Sequence, residues 1–448
     1  MLVEIAKLKR ASIKAVARAA FAVVLPMALV ACSTAGDLID KVSGKDDNVV
    51  LSGKREAVLQ PSGSQNQLAT EPIVIPSAVT NSSWAQPGGV PSNAMYNLSL
   101  GRSLKRVFAI SAGEGSSSNS RLTASPIVVG GRIYVLDAES NVRAFNANNG
   151  APVWAVSLVP KGKSTDGVFG GGLASDGASI YVTTAFGEAI ALSTSGGAQL
   201  WRKKFSSAIK SAPTVSGGTV FFTTTSNEVN ALSASTGAVL WRANGSGESA
   251  SAISNVSPAV SGGVVIVPQT SGDIIAFSAG NGQKLWSENM ASVTGVGTAS
   301  NLNDISGRPV VSGGQVFAIG SSGRFASFSL KDGQEIWSRN FAGNQTPWVS
   351  GEYVFVISQR RRLAAVTKKT GKVKWVVNLS SKGTWSGPVM GGGRLLLVSN
   401  KGALVSISPQ TGKVIKSREA GSGFFIAPII AGNTVYLLDD KANLVALR

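Results

Sequence analysis

The chain has 448 residues, is 43% hydrophobic, carries 52 glycines and a formal net charge of +18, and contains one cysteine and no histidine. The missing histidine excludes a Ser-His-Asp triad and His-containing zinc sites, and a single cysteine excludes an intrachain disulfide. A glycine-rich chain with few charges suits many short strands joined by turns and argues against long amphipathic helices.

Residues 1–31 read as a targeting segment. Lys7, Lys9, Arg10, Lys14 and Arg18 form a basic start, and an apolar run from Ala19 to Val30 follows that is too short to span a bilayer comfortably. Leu29, Val30 and Ala31 before Cys32 match the lipobox of bacterial lipoproteins. That resemblance implies cleavage before Cys32 and lipid attachment at Cys32. Ser33 stands where an aspartate would signal inner-membrane retention, so outer-membrane sorting with the chain facing the periplasm is implied. Several acyl chains, at about 0.8 kcal/mol per buried methylene, make a lasting anchor. Residues 32–83 are rich in Ser, Gly, Thr, Pro and Gln without an apolar period, and are expected to form a flexible tether.

From Trp84 onward, to residue 448, the pattern becomes a repeat. NNGAPVW ends at Trp154, SGGAQLW at Trp201, STGAVLW at Trp241, GNGQKLW at Trp286, KDGQEIW at Trp337 and KTGKVKW at Trp375; QTGKVIK carries Lys416 in the tryptophan position. Successive copies lie 47, 40, 45, 51, 38 and 41 residues apart. Within residues 257–288, SPAV, VVIVPQ, IIAFSA and QKLWSE read as four strands separated by GG, SGD and NG turns. Four antiparallel strands per repeat of this length describe a β-propeller blade. The glycine supplies the positive φ of the turn, and the tryptophan on the outer strand is expected to wedge against the neighbouring blade.

A proline opens the first strand at Pro126, Pro213, Pro258, Pro309, Pro347, Pro388 and Pro428, and GGGLASDG takes that place in the second unit. These features define eight units. The eighth ends after its third strand, VYLLDDKANLVALR, and SLKRVFAI at residues 103–110 can supply the fourth. The expected fold is therefore all-β: an eight-bladed propeller of four-stranded antiparallel blades, with the ring closed by an N-terminal strand so that no edge stays open. Lys416 and the irregular second unit are expected to mark weaker seams.

Little in the sequence points to catalysis. No phosphate-binding glycine loop is present, and Asp304, Asp332 and Asp439–Asp440 fall in expected loops or turns. Neither a cofactor nor a metal site is expected. Arg360, Arg361, Arg362, Lys368, Lys369, Lys372 and Lys374 form a run without an acid, readable as a solvated face or as a surface for an acidic protein or anionic headgroups. Nucleic acid is a poor partner for an exported chain.

The lipobox, the polar tether and the xxGxxxW units together resemble the BamB family, the propeller lipoproteins of the outer-membrane β-barrel assembly machinery. WAQPGG (84–89) and NLNDISGRP (301–309) are similar to segments of that family. The resemblance implies a monomeric, non-enzymatic scaffold that binds the periplasmic POTRA domains of BamA, sits with other lipoproteins of the machinery and assists outer-membrane protein folding and insertion. It places the contact on two inter-blade loops. In the first, FSSAIKSAP, this chain offers Phe205, Ala208, Ile209 and Lys210 where the family has leucines and an arginine. In the second it keeps Leu302 and Asp304 but has Ser306 at the second acidic place. Phe205, Ile209 and Leu302 are expected to be apolar anchors if they are exposed.

Two other functions share the blade pattern. A pyrroloquinoline-quinone dehydrogenase would be longer and would carry an adjacent cysteine pair, which this chain lacks. A propeller binding an envelope glycan or other ligand would gather aromatic residues at one loop face, for which Trp348 and Trp385 are candidates.

Overall fold

Short apolar runs of β-branched and aromatic residues, bounded by glycine turns, become strands because each can pack both faces against neighbouring sheets. The computed structural model describes residues 68–245, 256–290, 305 and 307–448, all within one unit spanning 62–448. Among the described residues there are 32 strands, in eight four-stranded antiparallel sheets. In chain order the blades are β2–β5 (127–157), β6–β9 (171–204), β10–β13 (214–244), β14–β17 (259–289), β18–β21 (310–340), β22–β25 (348–378) and β26–β29 (385–419). The eighth sheet holds β30–β32 (429–447), and its fourth strand is β1 (Arg106–Ser111), antiparallel to β32. This is an eight-bladed β-propeller.

The core lies between blades. Separate apolar clusters fill the seams: Leu136, Val142, Leu173 and Ile190 between blades one and two, and Phe221, Val229, Val265 and Phe277 between blades three and four. The repeat motif locks each seam from outside. Trp154, Trp201, Trp241, Trp286, Trp337 and Trp375 each donate their indole N–H to a carbonyl of the next blade, at Thr194, Ala234, Ala279, Leu330, Lys368 and Pro409, over 2.8–3.1 Å. Each ring also covers the turn glycine of that next blade. The expectation that the tryptophans wedge between blades therefore holds.

Lys416 is exposed for a topological reason. The next sheet joins β32 (Asn443–Leu447) to β1 by hydrogen bonds between Arg448 and Lys105 rather than by a turn, so no turn glycine stands there to be covered. Arg418 instead donates to the carbonyl of Leu104 at 2.5 Å. One seam further, Phe108 of β1 takes the tryptophan's place over Gly150 of blade one.

The tether expectation fails for residues 68–83. Leu68 bridges Val373 in parallel, Ala69 and Ile73 are buried, and the carbonyl of Glu71 accepts the Tyr353 hydroxyl at 2.5 Å. Polar composition concealed this, because the segment is held through its backbone. Residues 81–98 then line the shaft of the ring. Asn81 bonds to Ile430 and Gly432 of blade eight, Trp84 to Val128 of blade one, Ala85 to Ser175 of blade two and Gln86 to Val215 of blade three. Pro91 accepts from Val260 of blade four, Ser92 from Val311 of blade five, Tyr96 from the Trp348 indole of blade six, and Leu98 pairs with Met390 and Gly392 of blade seven. Innermost strands carry backbone groups with no fifth strand to pair, and this segment satisfies some of them on every blade but the sixth, where it accepts from a side chain instead.

Candidate functional site

The connections that leave one blade's outer strand and enter the next blade's inner strand all run on one end of the ring. The first loop singled out for partner contact, at residues 205–210, belongs to this end. Phe205 follows β9 (Gln199–Lys204), and both Phe205 and Ile209 are buried between blades two and three. Phe205 sets its edge against Phe222, with centroids 5.1 Å apart, and the Arg242 guanidinium lies over its ring. Their expected role as exposed anchors is thus overturned: the loop turns its apolar side chains into the seam, where they exclude water from two blades. Ala208 is half-buried and its carbonyl accepts the N–H of Thr225. Lys210 is half-buried, accepts from Gly171 through its carbonyl and holds its ammonium 5.8 Å from the centroid of the Phe169 ring. What this loop presents outward is Ser206, with Lys203 and Lys204 beside it. Leu302, Asp304, Ser306 and Cys32 lie outside the described residues.

The basic run does not form one surface. Arg360 and Arg361 sit in the turn between β23 (Tyr353–Ile357) and β24 (Arg362–Thr367), whereas Lys368, Lys369 and Lys372 sit in the turn at the other end of β24. Six residues of strand separate the groups, roughly 17 Å. Lys369 lies 3.6 Å from Glu352, and Lys374 donates to the carbonyls of Ala69 and Thr70.

The same end of the ring holds a cavity of about 430 Å³. Its inner boundary is the chain's own shaft segment, at Trp84, Pro87, Gly88 and Asn93; its sides are the approaches to blades one, five, six, seven and eight. Gly88 lets the segment fold tightly, because a Cβ there would meet the Asn93 carboxamide oxygen at 1.9 Å. Trp84 stacks on Trp348 with centroids 6.3 Å apart and planes 17° from parallel. Phe425, 55% exposed, stands at the rim. Sequence reasoning marked Trp348 and WAQPGG separately, but no local signal joined them. Trp385 is buried and donates to the carbonyl of Ser380, away from this cavity.

Among the described residues, Arg308 is the one charged residue lining the cavity. Its backbone N–H donates to the Thr346 hydroxyl, and its Nε is sealed from solvent without a hydrogen-bond partner. Burial lowers its pKa to about 10. Among the described residues no cluster of three metal-ligating side chains occurs.

An eight-bladed ring whose shaft is lined by its own N-terminal segment, with seams closed by Trp–Gly pairs, defines a class of eight-bladed β-propellers built from tryptophan-locked repeats. Within that class, the family model described as "Outer membrane protein assembly factor BamB" matches residues 138–377 and 375–448, and the chain belongs to this family. The chain is 32% identical over 217 residues to outer membrane protein assembly factor BamB of Salmonella typhimurium, covering 48% of this chain and 55% of that relative. It thus spans about half the length of that curated relative. The crystal structure of BamB from Moraxella catarrhalis is similar with a TM-score of 0.67 at 19% identity, over 77% of this chain and 99% of that one. Quinohemoprotein alcohol dehydrogenase from Comamonas testosteroni reaches the same TM-score at 15% identity, over 83% and 81%. At such identities these structures speak for the fold alone.

Proposed function

We propose that this chain is a non-enzymatic scaffold of outer-membrane protein assembly, anchored to the outer membrane through lipid on Cys32 and facing the periplasm. It docks the POTRA domains of BamA, alongside other lipoproteins of the machinery, on the end of the ring that carries the inter-blade connections. The observation that carries this reading is the family match across residues 138–448. The geometry supports it through the shaft. The chain's own residues 81–98 engage all eight inner strands, which leaves the loop end as an accessible, irregular surface for a partner.

The contact set is revised accordingly. Leu302 and Asp304 remain the proposed apolar and acidic contacts of the second loop, and Ser206 with Lys203 replaces Phe205 and Ile209 on the first. A photo-crosslinking residue placed at position 206 or 302 should capture the periplasmic part of BamA, and one at the rim position 336 should not. Capture from 336 with none from 206 or 302 would reject this docking face.

A further inference from the structure

The cavity at the loop end has a chemistry of its own. Among its described lining residues none is a carboxylate, and Arg308 alone is charged. The walls mix apolar side chains, the stacked pair Trp84 and Trp348 with Leu122, Val389 and Phe425, with hydroxyl groups at Thr123 and Ser125. Asn344 and Gln345 add amide groups beside the guanidinium. A guanidinium partly drawn out of water without an anion is an unfavourable arrangement, and proteins ordinarily pair such a group with an acid. Here nothing among the described residues pairs it, and its Nε has no hydrogen-bond partner. The volume lies in the range of small-molecule sites, about 300–1,000 Å³.

We propose that this cavity is a binding site for a small organic carboxylate with an apolar, preferably aromatic, body. The planar guanidinium fork matches a carboxylate through two parallel hydrogen bonds. One positive charge balances one carboxylate, whereas a phosphate dianion would bring an excess charge into walls that offer no second cation. The apolar body would lie against Trp84, Trp348 and Phe425. At neutral pH Arg308 remains charged, since its lowered pKa is still about 10. Arg308 belongs to the same loop as the proposed contacts Leu302 and Asp304, but the small-molecule titration does not depend on a partner, so loss of BamA capture would leave it standing.

The test is titration of the full-length protein with benzoate, benzamide and inorganic phosphate, followed by calorimetry and by tryptophan fluorescence. Benzoate should saturate one site, bind at least tenfold more tightly than benzamide, and perturb the indole emission. Phosphate should not displace it at equal concentration. Arg308→Gln should weaken benzoate at least tenfold and leave benzamide unchanged. Should that variant fold poorly, Arg308→Lys keeps the charge but loses the fork and should still weaken benzoate, while the benzoate–benzamide ratio on the unaltered protein needs no variant. Equal binding of benzoate and benzamide, no saturable benzoate binding, displacement by equimolar phosphate, or unchanged benzoate affinity in a folded Arg308→Gln protein would each overturn the proposal.

Discussion

The indole of Trp201 in blade two lies flat over Gly237 in blade three: a Cβ on that glycine would stand 2.7 Å from the ring, and the indole N–H donates to the Ala234 carbonyl at 2.8 Å. The motif's glycine and its tryptophan thus serve different blades. Each motif glycine after Gly150, which Phe108 covers, receives the tryptophan of the preceding repeat, so the motif is a lock between neighbours rather than a feature of one hairpin.

Gly237→Ala tests that lock. Gly237 has φ +69° and Gly217, in the same blade, has φ +56°, but a Cβ at Gly217 meets nothing within 4 Å. Both substitutions carry the left-handed penalty of about 1–2 kcal/mol. Only Gly237→Ala adds a collision with a packed ring, a further cost of about 1–3 kcal/mol. Denaturant unfolding should therefore show Gly237→Ala clearly below Gly217→Ala. Equal losses would mean the ring moves aside freely.

The shaft segment predicts a second result. Buried Gln86 donates to the Val215 carbonyl at 2.7 Å and accepts its N–H at 3.1 Å. Gln86→Ala leaves both backbone groups in the shaft without their partner, at about 1–3 kcal/mol for each group that water cannot reach. A melting temperature like that of the parent protein would show that water replaces the amide there.

How much of this was legible in the sequence follows from the range of the interactions. The blades, their number and the closing strand could be read because a strand–turn–strand unit is written in contiguous residues. The shaft segment could not, since WAQPGG reaches its partners through backbone groups on strands as far away as Val128, Ser175 and Val215. The candidate loop misled for a related reason. FSSAIKSAP resembles an exposed connection in composition, and nothing local shows that Phe205 and Ile209 turn inward between blades. Likewise the basic run of blade six is contiguous in sequence but divided by the length of β24.

The tyrosines give a pH dependence. The chain has five, and burial raises the pKa of Tyr134, Tyr181, Tyr353 and Tyr436; for Tyr181 the Asp176 carboxylate, which accepts its hydroxyl at 2.7 Å, raises it further. Above about pH 10, the ordinary phenol value, the unfolded chain loses these protons while the folded chain keeps them. The folded state then binds more protons, so its stability falls as pH rises. Arg308, Arg339, Arg394 and Arg418 work in the opposite sense, because burial lowers their pKa values, that of Arg308 to about 10. The net slope is therefore shallow, and the sharper expectation is optical: between pH 10 and 11 the tyrosinate absorbance step of these four tyrosines should appear only on unfolding. A tyrosinate step complete before unfolding would contradict this.

The inward turn of Phe205 and Ile209 changes how the docking face must be tested. Both side chains are buried among Tyr181, Val215, Phe222 and Leu232. Truncating either to alanine removes packed apolar volume, at about 3–5 kcal/mol for Phe205→Ala and 2–5 kcal/mol for Ile209→Ala. Weakened capture of BamA by these variants would then follow from a damaged seam and would say nothing about contact. Ser206→Ala, at an exposed position in the same loop, should stay within about 0.5 kcal/mol of the parent stability. Denaturant midpoints measured on all three, before any binding experiment, decide the matter. If Phe205→Ala and Ile209→Ala melt like Ser206→Ala, the two side chains are not seam residues in solution, and they return as candidates for the apolar anchors of the partner surface.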